Sequence, residues 1–301
     1  MSVDAAALRE RLPASRSEFE RRLDRLIVEN RFTISVFFPL NGIVLLVASA
    51  EGWLPAPLAF NGMLILLGTF VMRSPLIAGV VPVADRKTVT AVGLLTLYAY
   101  GIEYVGIHTG QPYGPFEYVV DLGPTIAGVP VGLPVFFIPL VVNAYLLVLL
   151  LVRGLADNTP IRLLSVIALV LTMDVVLDPG AVALGFWRYF EPGPPVLGGL
   201  LSTAGGFYGV PLSNYAGWVL SATVAVVTLD WGFDHEALLS RLGRCAFVLD
   251  DMVSFVILWG GINVWFGNYL PAAVAAVIGA GLWYTDQFDA NLIRSQFGSA
   301  E

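Results

Sequence analysis

Three carboxylic acids stand in otherwise apolar sequence. Glu103 lies in GIEYVGIHTGQPYG (101–114), and Asp174 and Asp178 lie in MDVVLDPGA (173–181). An ionisable group is expensive in hydrocarbon, so a chain that keeps one there generally uses it. Removal from water favours the neutral form of a carboxyl. A neutral carboxyl can give up a proton and a neighbouring one can accept it, which is proton-transfer chemistry without a metal. Such an acid, kept dry, is what protonation of an unactivated alkene needs. The competing reading gives each acid only a hydrogen-bonding role between helices.

The elements that must position these acids are membrane helices. Of the 301 residues, 57% are hydrophobic and 13% charged, against the ~25% charged of an average soluble domain. Mean hydropathy is +0.77. Eight apolar segments near the ~20 residues of a spanning helix are read at 32–49, 57–72, 88–106, 131–152, 162–184, 215–231, 247–266 and 270–285. The expected fold is all-α, a polytopic membrane bundle of about eight transmembrane helices with both termini cytoplasmic. Residues 1–31 form a cytoplasmic amphipathic arm, 32–286 a single transmembrane domain, and 287–301 a cytoplasmic tail. The arm carries Phe19, Leu23, Leu26 and Ile27 at helical spacing, as a helix lying on a membrane surface does. It is polar and Arg-rich, unlike a secretory signal peptide.

Basic residues set the orientation, because positive charge collects in cytoplasmic loops. With the N-terminus inside, every one of the 16 basic residues except Arg188 falls on the inner side. Counting ~1.5 Å per residue from the inner helix starts puts Glu103 about 22 Å up, Asp174 about 18 Å and Asp178 about 24 Å. Asp174 and Asp178 are four apart and share a helix face. All three acids are therefore expected in one pocket in the outer half of the bundle. Pro179 removes a helix hydrogen bond and leaves the Val175 carbonyl seeking a partner, which fits backbone that lines a cavity. The outer loops 107–130 and 185–214 are long, rich in Gly, Pro and aromatic residues, and nearly uncharged. Loops of this kind cap a cavity or form an aromatic belt at headgroup level.

Other classes fit less well. A net charge of −7 argues against nucleic-acid partners. Cys245 is the only cysteine, which rules out an intrachain disulfide. His108 and His235 lack metal-ligand spacing, and neither metal nor cofactor is expected. Lys87 is the only lysine and lies at a helix edge, where it cannot carry a mid-membrane retinal. Asp174 and Asp178 have the spacing of one aspartate-rich prenyltransferase motif, but a second motif and diphosphate-holding cations are missing from the outer half. A transporter with buried carboxylates is the rival from another class; it usually shows a half-chain repeat, and none is visible. Asp230, Asp250 and Asp251 read as solvated helix ends, Asn143 and Asn263 as interhelical glue, and Arg188 as a partner for Glu191 or a pocket acid.

The motifs GIEYVGIHTGQPYG, LGP (122–124), VPVGLP (129–134), LDPGA (177–181) and FYGVPLSNYAGW (207–218), taken together, resemble the membrane carotenoid hydratases of the carotenoid biosynthesis family. The acidic, Lys-poor composition favours its haloarchaeal branch, which acts on bisanhydrobacterioruberin. The resemblance spans most of segments three to seven. It implies addition of water to the terminal isopropylidene bond of a C50 or C40 carotenoid, giving a tertiary alcohol, in the cell membrane and with no cofactor. The partners it implies are the carotenoid, water and the lipid bilayer, with other carotenoid-pathway membrane enzymes as potential associates. Residues carried over on the motifs are Glu103, Tyr104, Thr109, Tyr113, Asp174, Asp178, Tyr208, Asn214 and Trp218. Their roles are a chemical reading. Asp174, the deepest, is expected to donate the proton, and Asp178 or Glu103 to act as general base on the water. Tyr208, Trp187 and Trp218 would offer ring faces to the cation, and Asn214 and Tyr113 would position the water.

Overall fold

The computed structural model describes residues 15–196 and 205–287. Local capping chemistry marks where the helices begin. Asn61, Asp85 and Asn158 each accept a hydrogen bond from an amide three residues on, at 3.0, 2.8 and 3.3 Å, which satisfies a donor left open at the helix start. The chain runs through α1 (Arg16–Glu29), a π-helical turn (Thr33–Phe37) continuing into α2 (Phe38–Ala50), α3 (Gly62–Val80) and α4 (Arg86–Thr109). Short strands β1 (Phe116–Tyr118), β2 (Thr125–Ile126) and β3 (Val129–Pro130) precede α5 (Leu133–Val152) and α6 (Thr159–Leu184). After β4 (Trp187–Tyr189) come α7 (Leu212–Gly232), α8 (His235–Leu242), α9 (Asp250–Trp265) and α10 (Tyr269–Tyr284).

Each of the eight apolar segments overlaps a helix. Among the described residues, six helical stretches are long and apolar enough to cross a bilayer: Thr33–Ala50, Gly62–Val83, Arg86–Thr109, Leu133–Val152, Thr159–Leu184 and Leu212–Gly232. The remaining two, α9 and α10, have 16 residues each. The second segment starts later than expected, at Gly62, because the Pro-containing stretch before it is taken up in turns that end at the Asn61 cap. Residues 288–301 of the expected tail and 1–14 of the expected arm lie outside the described residues.

α5 reads LPVFFIPLVVNAYLLVLLLV, apolar on every side, and a helix of that kind belongs in the interior. It is the most buried of the six spans and packs against α3, α4, α6, α7 and α9. Around it α4 and α6 each pack against α7, so three chemistry-bearing helices surround one region. α1 lies against the turn after α3, where Arg16 donates to the carbonyls of Val81 and Ala84. Its Ile27 is buried while Phe19 and Leu26 stay exposed.

Of the helix-end acids, Asp250 and Asp251 are buried and Asp230 is partly buried. Asp250 accepts two hydrogen bonds from Arg31, at 2.6 and 2.7 Å, and one from Ser35. Asp251 pairs with Arg73 and accepts from Asn143 at 2.6 Å. Asp230 takes a bidentate pair from Arg162, at 2.6 and 2.7 Å, and a hydrogen bond from Tyr145. Each acid meets an arginine that arrives from another helix, a proximity the linear sequence does not reveal. A buried pair holds only while both partners are present. Asp251→Ala, which leaves Arg73 buried without its carboxylate, is expected to cost about 3–5 kcal/mol. Denaturant unfolding of the detergent-solubilised protein measures this, and unchanged stability would contradict it.

Candidate active site

α4 and α6 stop in the same way. Gly110 and Gly185 follow them with φ of 73° and 78°, a left-handed conformation that glycine adopts without strain and that ends a helix. Glu103 precedes the last residue of α4, Thr109, by six positions, and Asp178 precedes the last residue of α6, Leu184, by the same six. At 1.5 Å per residue both carboxylates sit about 9 Å below their helix ends. Asp174 is one turn deeper.

The segments leaving these two glycines form a ribbon. β1 and β4 pair antiparallel, with Phe116 opposite Tyr189, Glu117 opposite Arg188 and Tyr118 opposite Trp187. Directly opposed residues share a face of the ribbon and successive residues alternate. Phe116, Tyr118, Trp187 and Tyr189 thus make one aromatic face. The other face carries Glu117 and Arg188, which form an exposed ion pair. Arg188 accordingly pairs with Glu117, its cross-strand neighbour, rather than with Glu191 or a pocket acid. Trp187 and Tyr189 are brought to Phe116 and Tyr118 by this register alone, although some seventy residues separate the strands.

Beneath the aromatic face lies a cavity of about 150 Å³, several times the ~30 Å³ share of one water. Half of its twenty lining residues are aromatic, and among the described residues only two carboxylates reach it, Glu103 and Asp178. The ribbon holds both: the Tyr118 hydroxyl donates to Glu103 Oε1, and the Tyr189 hydroxyl donates to Asp178 Oδ2 at 3.2 Å. Burial, reinforced by the adjacent acids, pushes both phenols well above their ordinary range, so they remain protonated donors. The Asn214 amide donates to Asp178 at 2.6 Å and to Asp174 at 3.0 Å. One side chain near the start of α7 thereby bridges the two aspartates of α6.

The expected site residues divide on this geometry. Glu103, Asp178, Asn214, Tyr113, Trp187 and Trp218 line the cavity. Trp218 stacks on Phe137 with centroids 5.7 Å apart. Tyr113 hydrogen-bonds Ser221 at 2.6 Å; its ring lies so close to α7 that a Cβ on Gly217 would come within 2.6 Å of it. Asp174 is fully buried behind Asn214 and is not part of the lining. Of the two α6 carboxylates, Asp178 lines the cavity and Asp174, the expected proton donor, is set back from it. Tyr104 follows Glu103 on the helix and points outward, 47% exposed, against His108. The Thr109 hydroxyl folds back onto the Val105 carbonyl. Tyr208 sits in a tight turn with φ of 53°, packed on Phe207. None of these three lines the cavity.

Tyr118, Tyr189, Phe116 and Trp259 line the cavity without having been singled out as site residues. A signal for three of them exists in the sequence: FEY at 116–118 and WRY at 187–189 repeat an aromatic–charged–aromatic pattern with opposite charges, the mark of two strands that pair. Behind the site, Gly180 has no Cβ to block Trp259 and Asn263. Asn263 donates to the Val176 carbonyl at 2.8 Å, and Asn268 to that of Pro179 at 3.2 Å. Polar side chains from the α9–α10 region thus support the proline-interrupted turn, one carbonyl along from the expected Val175.

Residues 60–282 match the family described as carotenoid biosynthesis protein. A bisanhydrobacterioruberin hydratase from Haloarcula japonica is 56% identical over 290 residues, covering 96% of this chain and 94% of that protein. No solved structure matches the chain.

Proposed function

The chain belongs to the carotenoid biosynthesis protein family, and from this premise we propose that it is a bisanhydrobacterioruberin hydratase. It adds water to the terminal isopropylidene bonds of an acyclic carotenoid. The single observation that carries the reading is the pair Glu103 and Asp178 facing one aromatic cavity, each held by a ribbon tyrosine. The reaction requires a dry acid, a base, a water and a surface that tolerates positive charge.

Asp178 gives its proton to the less substituted alkene carbon, and the positive charge forms at the tertiary carbon. Two like charges sharing the Asn214 amide would be costly, so the Asp174–Asp178 pair keeps a proton for this step. Asp174 acts through Asn214 as a positioning residue. The faces of Trp187 and Trp218 stabilise the cation. The oxygen of a water in the cavity bonds to the cationic carbon, and Glu103 takes the proton released. Return of that proton to Asp178 completes the cycle, with one water added and no electrons gained or lost.

The setting is a multi-pass protein of the cell membrane with eight spans and both termini cytoplasmic, supported by the one-sided distribution of basic residues. The aromatic cavity then lies in the outer half and is reached by the polyene from the bilayer. Expression in a host that accumulates bisanhydrobacterioruberin tests the function. Mass spectrometry should find pigments heavier by one and two waters, and an unchanged pigment mass would overturn the proposal.

A further inference from the structure

Trp187 contains a group that the proposed reaction leaves unused. Its indole Nε1 is buried and has no hydrogen-bond partner among the described residues, although Trp187 lines the cavity. The ribbon fixes its place: Trp187 is paired with Tyr118 in register, their rings meet edge to face at 6.4 Å, and Tyr118 holds Glu103. A buried donor without an acceptor is destabilising, and native structures seldom keep one without a use. The indole N–H is donor-only, so what it lacks is an oxygen lone pair. A polyene end group and its cation offer none at the reacting bond. The oxygen that reaches the reacting bond during hydration belongs to the water.

We infer that the Trp187 indole N–H is the docking point for the oxygen of the attacking water and, after addition, for the tertiary hydroxyl it becomes. This rests on the hydratase reading and deepens it by assigning the oxygen site. A water held there accepts from Nε1 with one lone pair and presents the other to the cationic carbon. Its proton is turned toward Glu103, which the neighbouring Tyr118 positions. The carbon–oxygen bond forms, the proton goes to Glu103, and the product oxygen still accepts from Nε1. The site therefore prefers the hydrated end group to the alkene.

Trp187→Phe keeps an aromatic face and removes the donor; Trp187→His restores an N–H. The full-length protein in nanodiscs would be assayed for kcat and KM and for equilibrium binding of the alkene and of its hydrated product. Trp187→Phe is expected to lower kcat about tenfold and to erase an about tenfold preference for product. Alkene binding and KM should stay within about twofold, and Trp187→His should recover much of the product preference. Wild-type rate and preference in Trp187→Phe would overturn the inference, as would equal loss of alkene and product binding or no difference between the two variants. If the wild-type protein hydrates no carotenoid, the hydratase reading fails; if it does and Trp187→Phe is unaffected, only the oxygen site fails.

Discussion

Asp178→Asn is expected to lower carotenoid hydration by about 10²–10⁴-fold, the range of a lost general acid. The substitution keeps the shape of the side chain and an oxygen able to accept from Tyr189 and Asn214, so pigment binding and folded yield should persist. What disappears is the proton that starts the reaction. Asp174→Asn should cost far less, about tenfold, because Asp174 is shielded from the cavity and reaches it only through the Asn214 amide. Initial rates per folded protein measure both. An active Asp178→Asn beside a dead Asp174→Asn would reverse the assignment.

Glu103→Gln should reduce hydration by at least about 10²-fold, for a different reason. An amide cannot take the proton that water must lose, yet Asp178 can still protonate the alkene and take a proton back. In heavy water this variant should return the substrate unhydrated but carrying deuterium near its end group. Asp178→Asn should do neither. Mass analysis of the recovered alkene separates the two carboxylates by role rather than by rate alone. Absence of deuterium in the Glu103→Gln substrate would move the acid function to Glu103.

The helices were legible in the sequence because their signal is local. Apolar runs of sufficient length, broken by caps such as Asn61, Asp85 and Asn158, define them without knowledge of neighbours. The acids Glu103 and Asp178 were legible for the same reason, as costly groups in apolar stretches. What escaped depends on pairing across distance. The arginine partners of Asp250 and Asp251 arrive from Arg31 and Arg73, so burial could not be inferred from position at a helix end. The ribbon joins segments that hydropathy reads merely as aromatic loops, and only its register turns Tyr118 and Tyr189 into carboxylate holders. Depth alone could not show that Asp174 stands behind Asn214, because distance along a helix says nothing of which side chain lies between an acid and a cavity. Tyr104 and Thr109 shared a motif with Glu103 but not its helix face, which a linear motif cannot distinguish.

The equal depth of Glu103 and Asp178, about 9 Å below two helix ends under a single ribbon, has a kinetic consequence. A long, stiff polyene brings one tip to this chamber while its other tip points away along the molecule. The two ends of one pigment cannot react in a single visit. Double hydration must be distributive, with the half-finished molecule released and turned end for end before it returns. Time courses should therefore show the singly hydrated pigment rise and fall ahead of the doubly hydrated one, and dilution of the protein in its lipid should lengthen the interval between them.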